Sequence, residues 1–218
     1  MKTAGSKPIT VMLVDDHPVV RDGYRRLLET EANIRVVAEA DDGEAGYAYY
    51  KKYAPDVVIL DLNMPGIGGL ETLRRIRAYD AKARILIFSM HGNETMLERA
   101  MEAGATGYLT KQCGMAKMVE AVRQVAEGNS YIDSEYAVRA ASGSLSLSIQ
   151  HPLSGLSTRE FQIFKMLAEG YPTSEIADIL SISSKTVGVH HTNIMKKLGL
   201  QNTAQLVRLA LRNNIIEP

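Results

Sequence analysis

Three carboxylates, a hydroxyl and an ammonium stand at the ends of short apolar runs in the first half of this 218-residue chain. Asp15 and Asp16 follow Ile9-Thr10-Val11-Met12-Leu13-Val14, and Asp61 follows Val57-Val58-Ile59-Leu60. Ser89 follows Ile85-Leu86-Ile87-Phe88, and Lys111 comes shortly after Gly107-Tyr108-Leu109. Unbroken apolar runs of this kind read as strands buried on both faces of a parallel sheet. Met64-Pro65-Gly66 closes the third run, since Pro has no N–H for a ladder and Gly permits a tight turn. In an open α/β sheet, residues just past the carboxyl ends of the strands gather at one edge, where ligands bind. Three acids gathered there repel one another unless a cation intervenes.

A hard divalent cation, Mg²⁺, would resolve that repulsion. It takes oxygen ligands, keeps several waters and bridges carboxylate to phosphate. Asp16 and Asp61 would ligate directly, the main-chain carbonyl of Asn63 would be a third ligand, and Asp15 would act directly or through water. A carboxylate can also attack phosphorus and become an aspartyl phosphate. The metal and Lys111 would then neutralise phosphoryl oxygens, and Ser89 would hydrogen-bond the new group. No His or Glu stands ready as a general base, which suits slow self-modification better than fast hydrolysis. His17 and His91 read as solvated loop residues. For any single acid, capping of the following turn or helix is the alternative. Asp41-Asp42-Gly43, an acidic pair after a strand without matching partners, is explained that way. Asp15-Asp16 differs in having an Asp, a Ser and a Lys at other strand ends.

The elements that must position these residues alternate. Strands are expected over 9–14, 34–38, 57–60, 84–88 and 107–109, with helices between them and a last helix over 115–127. Such alternation predicts an α/β fold over residues 9–128, a doubly wound five-stranded parallel sheet with helices on both faces and right-handed connections. Residues 129–152 read as an interdomain linker, with a short helix at 134–141 and flexible serines after it. Residues 153–218 read as a small all-α domain. Ser157-Thr158-Arg159-Glu160 is a capping box opening a helix that ends at Gly170. Thr173 opens a short helix, Ser181-Ile182-Ser183 is a turn, and 184–198 is a longer helix closed by Gly199. Asn202-Thr203-Ala204-Gln205 is a second capping box for a last helix. Two helices joined by a tight turn, the second longer, describe a helix-turn-helix.

Composition narrows the function. Lys and Arg balance Asp and Glu at 25 each, so no whole-chain field favours nucleic acid or membrane. Local charge decides instead. Residues 151–218 carry seven Lys or Arg against five acids, a net of +2. Lys185, Lys196 and Lys197 lie at the two ends of the 184–198 helix, where they would hold a phosphate backbone, the alternative being a solvated helix face. The single cysteine, Cys113, excludes an intramolecular disulfide and fits a reducing compartment. There is no signal-peptide pattern and no run long and apolar enough to span a bilayer, so the protein is expected to be soluble and cytoplasmic, with no membrane partner.

The pieces together resemble a known family. Val14-Asp15-Asp16-His17-Pro18, Leu60 through Gly66, Ser89, Gly104-Ala105-Thr106-Gly107-Tyr108-Leu109 and Lys111 resemble a CheY-like receiver domain of bacterial response regulators. Leu156 through Glu160, Leu167-Ala168-Glu169-Gly170, Glu175-Ile176-Ala177, Ser184-Lys185-Thr186-Val187 and His190 through Gly199 resemble the LuxR-type helix-turn-helix of the NarL/FixJ group. The resemblance implies a response regulator of a two-component system. Asp61 would accept phosphate from a sensor histidine kinase or a small phosphodonor, with Asp15, Asp16 and the Asn63 carbonyl serving Mg²⁺. Ser89 and Tyr108 would be the switch pair, the ring turning inward as the hydroxyl moves to phosphate. The phosphorylated protein would form a homodimer, free its output domain and bind DNA to regulate transcription, with RNA polymerase a further candidate partner. Gly188, Val189 and Thr192 would face base edges beside Lys185 and Thr186. Gly188 departs from the polar or basic residue frequent there, so readout would lean on Val189, His191, Thr192 and Asn193. The apolar excess of the last helix, at Leu206, Val207, Ala210 and Leu211, suits either dimerisation or core packing. The competing expectations are a phosphohydrolase with Asp61 as nucleophile and a regulator whose receiver serves only to dimerise.

Overall fold

A computed structural model describes residues 7–90, 94–133, 153, 155–213 and 215–216. The chain falls into two compact units, one built on a sheet and one on helices.

In the first unit, strands β1 (Ile9–Val14), β2 (Ile34–Ala40), β3 (Val57–Leu60), β4 (Ile85–Ser89) and β5 (Gly107–Thr110) alternate with helices. The helices are α1 (Pro18–Glu29), α2 (Gly43–Tyr53), α3 (Gly68–Tyr79), α4 (Glu94–Glu102) and α5 (Met115–Ala126). A further strand, β6 (Tyr131–Ile132), extends the sheet by one beyond the five expected. The order is β2-β1-β3-β4-β5-β6, and every pair is parallel. β6 lies in the stretch read as linker. At two residues it is too short to show a period, and only the Tyr-Ile pair after Gly128-Asn129-Ser130 hints at it. It is held by Tyr131 N–H to Thr106 O and Asp133 N–H to Tyr108 O, both 3.2 Å, and by an ion pair of Lys117 Nζ with Asp133 Oδ1 at 2.8 Å. The expected helix at 134–141, the serine-rich stretch and His91 lie outside the described residues.

Side-chain alternation splits the strands between two faces. Val11, Leu13, Val57, Ile59, Leu86, Phe88 and Leu109 meet Leu28 of α1 and Met118, Ala121, Val122 and Val125 of α5 in one buried cluster. The alternate residues Met12, Val14, Val58, Leu60 and Ile87 are buried too, which explains the unbroken apolar runs. On the way out of β2, Asp42 caps α2, its side chain accepting the Ala45 N–H at 2.8 Å, as the capping alternative requires.

The second unit contains α6 (Thr158–Ala168), α7 (Thr173–Ile179), α8 (Ser184–Lys197) and α9 (Thr203–Arg212). The Ser157–Glu160 capping box is complete. The second box is half formed: Asn202 accepts the Gln205 N–H, but the Gln205 side chain accepts from the Gln201 N–H instead. Phe161, Ile163, Phe164, Ile176, Val187, Ile194, Leu206 and Ala210 make the core. Val207 and Leu211 of α9 are half-buried.

One close approach fixes the start of α3 against the end of β3. A Cβ on Gly69 would lie 1.9 Å from the carbonyl oxygen of Asp61 and 2.7 Å from the Leu62 Cα, both backbone atoms that cannot yield. Gly69 is therefore required by contact. Gly69→Ala should cost on the order of 1–3 kcal/mol of stability, as overpacking does. Gly23→Ala is the control, since nothing lies within 4 Å of its Cβ position on an exposed part of α1. It should be neutral or stabilising by up to about 1 kcal/mol. Calorimetric unfolding of the two variants against the parent distinguishes the two effects.

Candidate functional site

The strand order reverses between β1 and β3, and the acids lie at that switch point, where open α/β sheets bind ligands. Asp15 leaves β1 and Asp61 leaves β3. The Asp61 N–H still bonds Val14 O at 2.9 Å, so the ladder itself sets the two loops side by side. Asp15 and Asp61 are buried, and Asp16 is half-buried. Lys111 is delivered from the end of β5, its N–H bonded to Ser89 O at 2.8 Å. Its ammonium lies 2.6 Å from Asp15 Oδ2 and 2.7 Å from Asp61 Oδ2. Burial works to depress the Lys111 ammonium, but the Asp61 and Asp15 carboxylates outweigh it and hold it above the ordinary lysine range.

Ligand atoms of Asp15, Asp16, His17 and Asp61 all lie within 4.8 Å of one another. Asp16 Oδ1 is buried and accepts no hydrogen bond, although His17 Nδ1 is 3.0 Å away. A buried carboxylate oxygen without a donor is what a cation would satisfy. With carboxylate oxygens leading the donor set, the residues fit a hard divalent ion. His17 was expected to be solvated. Its side chain is 57% exposed, yet Nδ1 also lies 3.2 Å from Asp15 Oδ1, so it borders the acids directly. The Asn63 N–H donates to Asp61 Oδ1 at 3.0 Å, which places Asn63 beside the carboxylate. Sequence reasoning missed Arg21, whose guanidinium donates to Asp15 O, and Tyr24, whose ring meets Phe88 edge-on at 4.6 Å below the site. The helical spacing of Arg21 after Pro18 was the available signal.

Ser89 ends β4 and is buried. Tyr108 pairs with Ile87 in register and is fully buried. Two residues apart in this register, Ser89 and Tyr108 fall on the same face of neighbouring strands.

Residues 11–123 match the response regulator receiver domain, and residues 154–210 match the LuxR family of bacterial regulatory proteins. The receiver match alone spans more than half of the chain. The chain is a LuxR-type response regulator. It is 38% identical to the response regulator UvrY of Escherichia coli over 208 residues, 95% of each protein. It is 37% identical to the response regulator GacA of Pseudomonas aeruginosa, over 96% of this chain and 98% of GacA. Among solved structures it resembles RcsB of Salmonella enterica serovar Typhimurium bound to promoter rprA in the presence of phosphomimetic BeF3⁻. That likeness has a TM-score of 0.72 at 27% identity and covers 93% of this chain and 98% of that one. Receiver domains of this kind hold Mg²⁺ at an acidic pocket, and the output domain places the protein among DNA-binding transcription regulators. Among the described residues, no helix is long and apolar enough to cross a membrane.

In the LuxR-type domain of this response regulator, α8 is the second helix of the helix-turn-helix. Lys185, Val189, Thr192, Asn193 and Lys196 are exposed along one side of it, with Thr186 and Gly188 half-exposed. Val187 and Ile194 face the core. His191 does not join the outer stripe. One turn after Val187 and three residues before Ile194, it flanks the inward stripe, and its Nε2 is buried. The residue as a whole is half-exposed, like Thr186 and Gly188. Lys197 is also committed: its ammonium lies 2.6 Å from Glu160 Oε2, the oxygen that accepts the Ser157 N–H at 2.7 Å. The capping box of α6 and the end of α8 are thus one device. Burial works to raise the Glu160 carboxyl, but the hydrogen bonds from Lys197 and Ser157 outweigh it and hold it below the usual glutamate range.

Two outcomes follow. Lys111→Met leaves two buried carboxylates facing each other, and should cost on the order of 3 kcal/mol at neutral pH. Added Mg²⁺ should restore part of the loss, as read by urea unfolding with and without the ion. For Glu160, the folded value lies below the ordinary 4.5. Its contribution is therefore present above about pH 4.5 and is lost as pH falls through the folded value. Acid should lower the unfolding midpoint of the helical unit in the parent more steeply than in Glu160→Gln, measured by circular dichroism from pH 7 to 3.

Proposed function

We propose that Asp61 is the phosphoacceptor of this response regulator, and that its phosphorylation controls dimerisation and sequence-specific DNA binding. The observation that carries the reading is the pairing of one lysine with two buried acids, beside a third acid with an unsatisfied oxygen. Asp61 attacks phosphorus through a carboxylate oxygen, the bond from phosphorus to the donor's leaving group breaks, and an acyl phosphate forms. Lys111 is already within hydrogen-bond reach of Asp61 and stays to balance the added charge. Asp15, Asp16, Asp61 and the Asn63 carbonyl would hold Mg²⁺, which when bound neutralises phosphoryl oxygens. Ser89 takes a hydrogen bond role toward the phosphoryl group, and Tyr108 follows it as the second member of the switch. The partners in this reading are a sensor histidine kinase as donor, a second copy of the chain after phosphorylation, DNA, and RNA polymerase at the promoter. The setting is the cytoplasm.

The residues favour self-modification over turnover. Asn63, two residues past Asp61, is not an acid that could act as a general base, so phosphomonoester turnover should be absent. The domain division that goes with this reading is a receiver at 9–128, a connection at 129–152 to which β6 contributes, and a DNA-binding domain at 153–218.

Treatment with acetyl phosphate and Mg²⁺ should add the mass of one phosphoryl group to the parent and none to Asp61→Asn. The parent should shift from monomer toward dimer, and its DNA affinity should rise at least tenfold. An Asp61→Asn variant that gained mass, dimerised or bound DNA as the parent does would defeat the proposal.

A further inference from the structure

The outer face of α8 is unusual in what its centre lacks. Its exposed cations stand at the ends, Lys185 in the first turn and Lys196 and Lys197 in the last, with Lys197 already paired to Glu160. Lys185 and Lys196 are eleven residues apart, roughly 16 Å along the helix. Between them the stripe is the half-exposed Gly188 and the exposed Val189, Thr192 and Asn193, with no charged side chain. Val189 is 53% exposed and is the one large apolar residue so exposed among the described residues of the helical unit. The Thr192 hydroxyl donates back to Gly188 O at 3.0 Å, so its hydrogen is spent within the helix. What Thr192 offers outward is its methyl group and an acceptor lone pair. Gly188 has nothing within 4 Å of where its Cβ would stand. No neighbour in this unit requires glycine there, although glycine weakens a helix.

These groups match one part of the major-groove code. Guanine is read by Arg or Lys against O6 and N7, and the centre of this face has neither. Apolar groups read the thymine C5-methyl, and Asn reads adenine through N6 and N7. We infer that α8 reads A·T pairs at the centre of its half-site, with Val189 and the Thr192 methyl packed on thymine methyls and Asn193 on adenine. Gly188 leaves the room that lets the helix backbone approach those methyls, and Lys185 and Lys196 hold phosphates on either side. The assignment rests on the DNA-binding reading above and names the class of sequence it acts on.

The test uses the full chain treated with acetyl phosphate and Mg²⁺, selecting from a random duplex pool. Selected half-sites should centre on A·T pairs. Replacing a central thymine by deoxyuridine removes only the methyl, and should weaken binding about fourfold for each methyl that is buried. Val189→Ala should lose that sensitivity at one position, whereas Lys185→Gln should weaken all sequences alike. Gly188→Ala should raise the melting temperature while weakening binding. Half-sites centred on G·C, or deoxyuridine duplexes bound as tightly as thymine ones, would overturn this assignment alone. No enrichment of any duplex would overturn both it and the DNA-binding reading.

Discussion

A single ammonium shared by two buried carboxylates governs the receiver unit. Lys111 sits at the end of β5, Asp15 at the end of β1 and Asp61 at the end of β3, and no local structure joins them. Each acid is out of water and would repel the other. Their common partner is what makes that burial tolerable, and it does so only because three strands deliver their ends to one place. The pairing is therefore a statement about the whole sheet: shift any of the three strands by one residue and the side chain moves to the other face. It is also a poised arrangement. A buried pair of this kind contributes little net stability, yet removing one member is costly. Under the proposed phosphorylation, charge added at Asp61 would be met by a cation already in position.

The same economy appears in the helical unit. Glu160 completes the capping box of α6 and receives Lys197 from the last turn of α8. One carboxylate oxygen thereby fixes the start of one helix and the end of another. Helix α8 is held from its C-terminal end and by Val187 and Ile194 on its inner face, and Val189, Thr192 and Asn193 of its outer stripe stay exposed.

Much of the site was legible in the sequence because parallel topology leaves few alternatives. Unbroken apolar runs imply strands covered on both faces, right-handed crossovers put all their carboxyl ends on one edge, and the residues after those ends must then meet. Asp15, Asp16, Asp61 and Lys111 were found that way. The parts that were not legible depend on distance in space. Gly69 reads as one glycine among three near the start of α3, and only its contact with the Asp61 carbonyl distinguishes it. Lys197 counts as one more cation until Glu160 is seen beneath it. The two residues of β6 carry too little pattern to be read, and their partner strand decides them.

That last strand changes where the receiver ends as a physical object. Without Tyr131 and Ile132, β5 becomes the border of the sheet, and the N–H and C=O groups that now serve β6 are left for another chain to pair with. Asp133 adds a salt bridge back to α5 just after the strand closes. A receiver cut from the protein at residue 128 would carry an open edge beside Tyr108 and invite self-association unrelated to phosphate. A fragment carried through Asp133 keeps that edge covered, so oligomerisation studies on the isolated unit depend on five residues that belong, by sequence alone, to the connection.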